Sequence, residues 1–108
     1  MTKTFKVKQL VHANQFILEN DRKVIFQSYD SIVAIFDKEK QLLTFGKDWD
    51  YSNTTLKHLY LFIGDYIWYD LGHDLRESLL EVMNSNNKRK GFQKLIDKKI
   101  IKYNKDLV

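Results

Sequence analysis

Residues 46–63 read GKDWDYSNTTLKHLYLFI, from Gly46 to Ile63, and this stretch carries the change from a β-like half to a helical half. Acid and aromatic alternate over Asp48, Trp49, Asp50 and Tyr51. Ser52 or Asn53 then offers a side-chain oxygen to the free N–H groups of a first helical turn. Leu56, Leu59, Tyr60, Ile63 and Ile67 follow at three- and four-residue spacing, which predicts one buried face of an α-helix. Asp48 and Asp50 precede that helix, where its dipole favours negative charge by about 0.3–1 kcal/mol. The capping box is incomplete, because Thr55 stands where Glu or Gln would reach back to Ser52. Two readings compete for this stretch. In one, Trp49 and Tyr51 fold over the helix start and the acids cap it; in the other, these groups form an exposed recognition surface with Lys57 and His58.

Upstream, the pattern is that of strands. Lys3 to Leu10 alternates loosely and reads as an edge strand whose lysines discourage unwanted pairing. Val11 to Glu19 suits a strand or a short helix, and helix is the reading favoured here. Asn20-Asp21-Arg22 reads as a turn, Lys23–Ser28 as a strand, Tyr29-Asp30-Ser31 as a second turn, and Ile32–Phe36 as a strand rich in β-branched residues. Asp37-Lys38-Glu39-Lys40 makes a charged loop before a third strand, Gln41–Phe45, and Gly46 is expected to take a positive φ at its exit. The result is a three-stranded antiparallel meander, which needs helices on one face to be stable.

Downstream, Gly64 is expected to end or bend the first helix. Tyr66, Ile67, Trp68, Tyr69 and Leu71 form an aromatic patch closed by Gly72. Asp74 is expected to cap a helix with Leu75, Leu79, Val82 and Met83 on one face, and Asn84–Asn87 reads as a turn. A last helix is predicted over Arg89–Ile101, with Phe92, Leu95, Ile96 and Ile100 inward and a frayed tail after Tyr103. The expected fold class is α+β: one domain over residues 1–108, β-rich over 1–47 and helical over 52–103, with the meander packed on two to four helices.

Composition narrows the function classes. A chain of 108 residues without cysteine or proline is expected to be one disulfide-free domain, and it shows no low-complexity linker. Lys3, Lys6 and Lys8 break any apolar run near the start, and apolar clusters such as Ile32–Phe36 are too short to span a bilayer. A cytoplasmic location, with no membrane association, is therefore expected. His12, His58 and His73 lack partners at zinc-like spacing, Ser28, Ser31, Ser52 and Thr55 lack a nucleophile elbow, and four scattered glycines make no phosphate-cradling loop. No metal, cofactor, small-molecule substrate or enzymatic activity is expected.

Charge is uneven where composition is bland. The net charge of +4 conceals −5 over residues 48–87 and +6 over residues 88–108. Lys88, Arg89, Lys90, Lys94, Lys98, Lys99 and Lys102 form a basic end suited to a phosphate backbone or an acidic protein surface. The dominance of lysine favours backbone contact over base reading. Tyr66, Trp68 and Tyr69 are the second candidate contact: five apolar side chains among residues 66–71 cannot all face inward, and Trp and Tyr are favoured interface anchors.

Phe26-Gln27-Ser28-Tyr29, the hairpin that follows, and Trp49-Asp50-Tyr51-Ser52 with Thr54-Thr55 and Lys57-His58 resemble a family of small uncharacterised phage and prophage proteins. The resemblance covers residues 22–63 and implies origin rather than chemistry. In size and character the chain is also similar to inhibitors of bacterial defence systems, including type II anti-CRISPR proteins. That likeness implies a host protein as partner, a type II CRISPR effector nuclease or its guide RNA complex, and inhibition by binding. The alternative expectation is a nucleic-acid-binding accessory protein of phage replication or regulation.

Overall fold

The computed structural model describes residues 6–9 and 14–107. The α+β class holds, but among the described residues the sheet has six strands rather than three. Strands β1 (Lys6–Gln9), β2 (Gln15–Glu19), β3 (Lys23–Ser28), β4 (Ser31–Asp37) and β5 (Leu42–Phe45) form an antiparallel meander in sequence order. Strand β6 (Lys102–Tyr103) then adds to β5 in parallel, pairing Thr44 with Lys102 and Phe45 with Tyr103. The expected meander is β3, β4 and β5, and β1, at the edge of the sheet, is the described part of the edge strand expected over Lys3 to Leu10. Helices α1 (Asn53–Phe62), α2 (His73–Met83) and α3 (Lys88–Asp97) supply the second layer.

Two departures concern the ends of the chain. The helix favoured for Val11 to Glu19 is strand β2 over its described part, because Phe16, Ile17 and Leu18 pair with Gln27, Phe26 and Ile25. Val11, His12 and Ala13 lie outside the described residues, as do Lys3 and Leu10 of the expected edge strand. The tail is held as far as Leu107. Asn104 donates its backbone N–H to the Phe45 carbonyl at 3.0 Å, and Leu107 donates to Asn104 at 3.2 Å.

The core lies between sheet and helices, and the register explains which residues enter it. Side chains directly opposite one another share a face, so Ile17, Phe26, Ala34 and Phe45 form one buried row across four strands. Val24, Phe36 and Leu43 form the next. The other face carries Leu18, Ile25, Ile35 and Thr44, all half-buried, which is why β2 and β3 alternate less cleanly than a strand with one wet face. A register shift after Phe26 inserts one residue into β4, a β-bulge that leaves both Val33 and Ala34 buried.

Gly46 does its work by proximity. No described glycine has positive φ, which corrects the expectation for Gly46; a Cβ there would lie 2.5 Å from the Ile32 carbonyl oxygen. The close approach lets Gly46 donate its N–H to Val33 at 2.8 Å and turn the chain off the sheet towards α1.

Helix α1 starts as expected: the Ser52 hydroxyl accepts the Thr55 N–H at 3.1 Å. Its buried face is Thr55, His58, Leu59 and Phe62, with Leu56 and Tyr60 at the margin, so the helix is rotated from the predicted stripe. Phe62 stacks on Phe26, ring centroids 5.7 Å apart. At Ile63 the hydrogen bonding widens into a π-helical stretch, Ile63–Ile67, and then tightens into a 3₁₀ turn, Trp68–Asp70. The predicted break at Gly64 therefore takes the form of a change in pitch that keeps Phe62, Ile63 and Ile67 all buried.

Gly72, not Asp74, occupies the cap position of α2, and no side chain caps it. Instead Gln41 clamps the junction, donating Nε2–H to the Asp70 carbonyl at 3.0 Å and accepting the Gly72 N–H on Oε1 at 2.6 Å. Leu75, Leu79 and Val82 face the core as predicted. Helix α3 is shorter than predicted and ends at Asp97. Asn87 caps its start, accepting the Lys90 N–H at 3.1 Å, and after it the chain turns through Lys99 at a φ of 64° to bury Ile101 and form β6. Phe92 and Leu95 are buried, Ile96 and Ile100 half-buried.

Candidate functional site

The sequence motif divides between core and surface. Trp49 is buried, packed between Phe45 and Phe92, so the reading in which it folds inward holds for this side chain. Thr55 and His58 are buried on the inner face of α1. Tyr51 is 80% exposed, and Thr54 and Lys57 are exposed on the outer face of α1, while Asp50 and Ser52 are half-buried. Tyr51 and Lys57 thus have the exposure that the competing reading requires, and His58 does not.

The two halves of the motif meet at a cleft of about 450 Å³. Ser28 and Tyr29 reach it from the end of β3, Ser31 from β4, Asp48 and Tyr51 from the turn, and Thr55 from α1. The Ser31 hydroxyl donates to Asp48 Oδ2 at 2.9 Å and fixes the carboxylate. Tyr29 is 65% exposed and has a φ of 53°, a backbone region that a bulky aromatic rarely adopts. Both its backbone polar groups are tied: its N–H donates to Asn14 at 2.7 Å, and its carbonyl accepts Gln27 Nε2–H at 2.8 Å. Gln15 stands opposite Ser28 on the same face of the sheet, 5% exposed, and its Oε1 has no hydrogen-bond partner.

The aromatic segment presents a second surface. Tyr66 and Trp68 are half-buried against the core, whereas Tyr69 is 89% exposed on the 3₁₀ turn. Trp68 borders a cleft with Tyr60, Gly64, Leu80 and Met83, and Leu80 is itself exposed. Arg76 holds this segment in place by donating Nη2–H to the Trp68 and Leu71 carbonyls at 3.2 and 3.0 Å. Lys88 places Nζ 4.8 Å from the centroid of the Tyr60 ring, a cation–π contact beside the same cleft.

The basic end makes a third. Lys90, Lys94 and Lys98 recur every fourth residue and line one groove between α2 and α3, with Ser78, Glu81 and Ser85 across from them. The helices approach closely there because Gly91 packs on Val82; a Cβ at Gly91 would lie 3.1 Å from Val82 Cγ1. Arg89 turns away to donate to the Asp50 carbonyl at 3.4 Å, and Lys99 and Lys102 are exposed beyond the helix. The seven basic residues are therefore divided: three share the groove, Lys88 covers Tyr60, Arg89 braces the turn, and Lys99 and Lys102 lie beyond α3. Sequence spacing identified the row but not its partners, which come from α2 and from residues 50 and 60.

Among the described residues no group of His, Asp and Glu is placed to hold a metal ion, and no helix is long and apolar enough to cross a membrane.

A sheet backed by three helices, with clefts bordered by aromatic, acidic and lysine side chains, defines a small α+β domain with several surfaces suited to contact. Residues 1–73 match DUF8033, a family of unknown function, and the chain belongs to that family. No curated protein and no solved structure matches it. The matched region contains the motif cleft and the aromatic segment, and the lysine groove lies beyond it.

Proposed function

We propose that this chain is a phage- or prophage-encoded interaction protein that acts by binding, and that its target is a host defence nuclease, with a type II CRISPR effector as the concrete case. The origin and the target rest on the resemblance of the motif and on the size and character of the chain. The binding reading is supported above all by one observation, the aromatic segment. Tyr69 is almost wholly in solvent, and beside it Trp68, Leu80 and Met83 border an open cleft. Large aromatics that are ordered by backbone hydrogen bonds and still reachable are the groups that dominate protein interfaces.

The test is recovery of the tagged chain from a lysate carrying a type II CRISPR system, with and without nuclease treatment, followed by DNA cleavage assays with the purified effector. A nuclease-resistant complex and inhibition that Trp68→Ala weakens would support the reading. Full cleavage by every such effector at saturating protein would defeat it.

A second reading, a nucleic-acid-binding accessory protein of phage replication or regulation, is favoured by the lysine row. Lys90, Lys94 and Lys98 climb α3 in steps of about 6 Å, four residues at 1.5 Å rise, and so present a line of charge to a phosphate backbone. Binding to bare DNA or RNA that weakens steeply with salt would move the weight to this reading.

A further inference from the structure

The motif cleft serves neither surface used above, and its chemistry differs from both. Its rim holds a carboxylate, two exposed phenol rings and three hydroxyls, and no basic side chain lines it among the described residues. Asp30, exposed in the same hairpin turn as Tyr29, adds a second negative charge nearby. From these groups we infer that the cleft is a docking site for an arginine side chain presented by a protein partner.

Three features converge on that occupant. Charge comes first: Asp48 and Asp30 attract a cation and repel a phosphate, so a nucleic-acid backbone does not suit this cleft. The second is the balance of donors and acceptors. Asp48 uses one oxygen on Ser31, which leaves acceptor capacity on the carboxylate. A guanidinium carries five N–H donors and no acceptor, and meets that surplus better than an ammonium or a neutral group. The third is the pair of rings. Tyr29 and Tyr51, both mostly exposed, line the same cleft, and a planar guanidinium stacks on aromatic rings while its edge reaches a carboxylate. Tyr29 is held there in a costly backbone conformation by hydrogen bonds at both its N–H and its carbonyl, so its place at the rim is fixed before any ligand arrives.

The site is independent of the contacts made by Trp68 and the lysine row, so its failure would leave the proposed function standing. The experiment is an NMR titration of the full chain, observing the ring signals of Tyr29 and Tyr51. The probe is a blocked Gly-Arg-Gly peptide, and the comparison is the same peptide with neutral citrulline in place of arginine. Saturable shifts of both rings with the arginine peptide are expected, with at least tenfold weaker binding of the citrulline peptide and loss of the response in Asp48→Asn. Tyr51→Ala removes a side chain that is mostly in solvent, so it should leave the fold intact and weaken the response; it decides the matter if Asp48→Asn disturbs the turn. Equal binding of the two peptides, an undiminished response in Tyr51→Ala, or a stronger response of these rings to a thymidine dinucleotide than to the arginine peptide would each overturn the assignment.

Discussion

Trp49 and Phe92 meet edge to face, their ring centroids 6.1 Å apart and their planes at 82°. Trp49 lies in the motif turn and Phe92 on α3, beyond the stretch matched by the family, so the last helix is built into the core of the domain. Phe45 completes the cluster, with its centroid 5.4 Å from Phe92. Phe92→Ala should cost about 3–5 kcal/mol, the range for deleting a fully buried aromatic ring. Urea unfolding followed by tryptophan fluorescence measures it, and a loss under about 1 kcal/mol would mean that α3 is only loosely docked.

Gly46→Ala should be nearly as damaging, although it adds a single methyl group. The methyl would press on the backbone oxygen of Ile32, which the sheet holds in place, and relief requires moving β4 or the turn. About 2–3 kcal/mol of destabilisation is expected from such overpacking, and thermal unfolding would detect it as a clear drop in Tm.

Asp37 should give stability an acid-sensitive component. Burial pushes its carboxyl pKa up, but the Lys40 N–H and the Arg22 guanidinium beside it outweigh that, and the net shift is below the usual value. A carboxyl lowered in the folded state adds stability that is complete above its unfolded pKa of about 3.9 and is lost as pH falls through the folded value. Asp37→Asn should cost about 1–2 kcal/mol at neutral pH, and the gap between wild type and variant should narrow below about pH 4. Unfolding curves at a series of pH values would reveal a constant gap if the carboxylate charge were unimportant.

If the lysine row binds single-stranded nucleic acid, replacing Lys90, Lys94 and Lys98 by Gln should reduce the slope of log affinity against log salt by about 2, from about 0.7 per phosphate contact. The three side chains are exposed or line a groove, so stability should change by no more than about 0.5 kcal/mol. Fluorescence anisotropy at four salt concentrations is sufficient, and an unchanged slope would remove the row from the contact.

Tyr29→Gly should separate stability from binding. Glycine adopts a φ of 53° without steric cost, so the variant is expected to gain about 0.5–1 kcal/mol, the relief being partly offset by backbone entropy. The same change removes one ring from the motif cleft. A variant that melts higher and binds the arginine peptide less is the expected pair of results; lower stability would show that ring contacts outweigh the strain.

Much of this architecture can be read from local pattern. Val24 and Phe26 alternate, Leu75, Leu79 and Val82 keep helical spacing, and Ser52 stands where a cap is needed, so β3, α2 and the start of α1 follow from neighbours in sequence. What could not be read depends on distant partners. Phe16, Ile17 and Leu18 give no alternation because both faces of β2 meet apolar side chains, and β6 is two residues whose identity as a strand comes from Thr44 and Phe45. Gly46 looked like a turn glycine and is instead a point of contact. The candidate surfaces divide in the same way. Spacing placed Lys90, Lys94 and Lys98 together, but the meeting of Tyr29 with Asp48 and Tyr51 exists only once the hairpin and the turn are folded against each other.

Strand β6 also sets the order in which the molecule can be finished. As the chain leaves the ribosome, β5 is complete at Phe45, but the partner for its outer edge is Lys102–Tyr103. At about 5–20 residues per second the edge stays open for about 3–12 s of synthesis. During that interval the nascent meander presents a bare strand with unmet backbone groups, a template for pairing with another chain. A chaperone or a second nascent copy meets a different molecule from the finished one, and the domain loses that sticky margin only when its last strand slides into place.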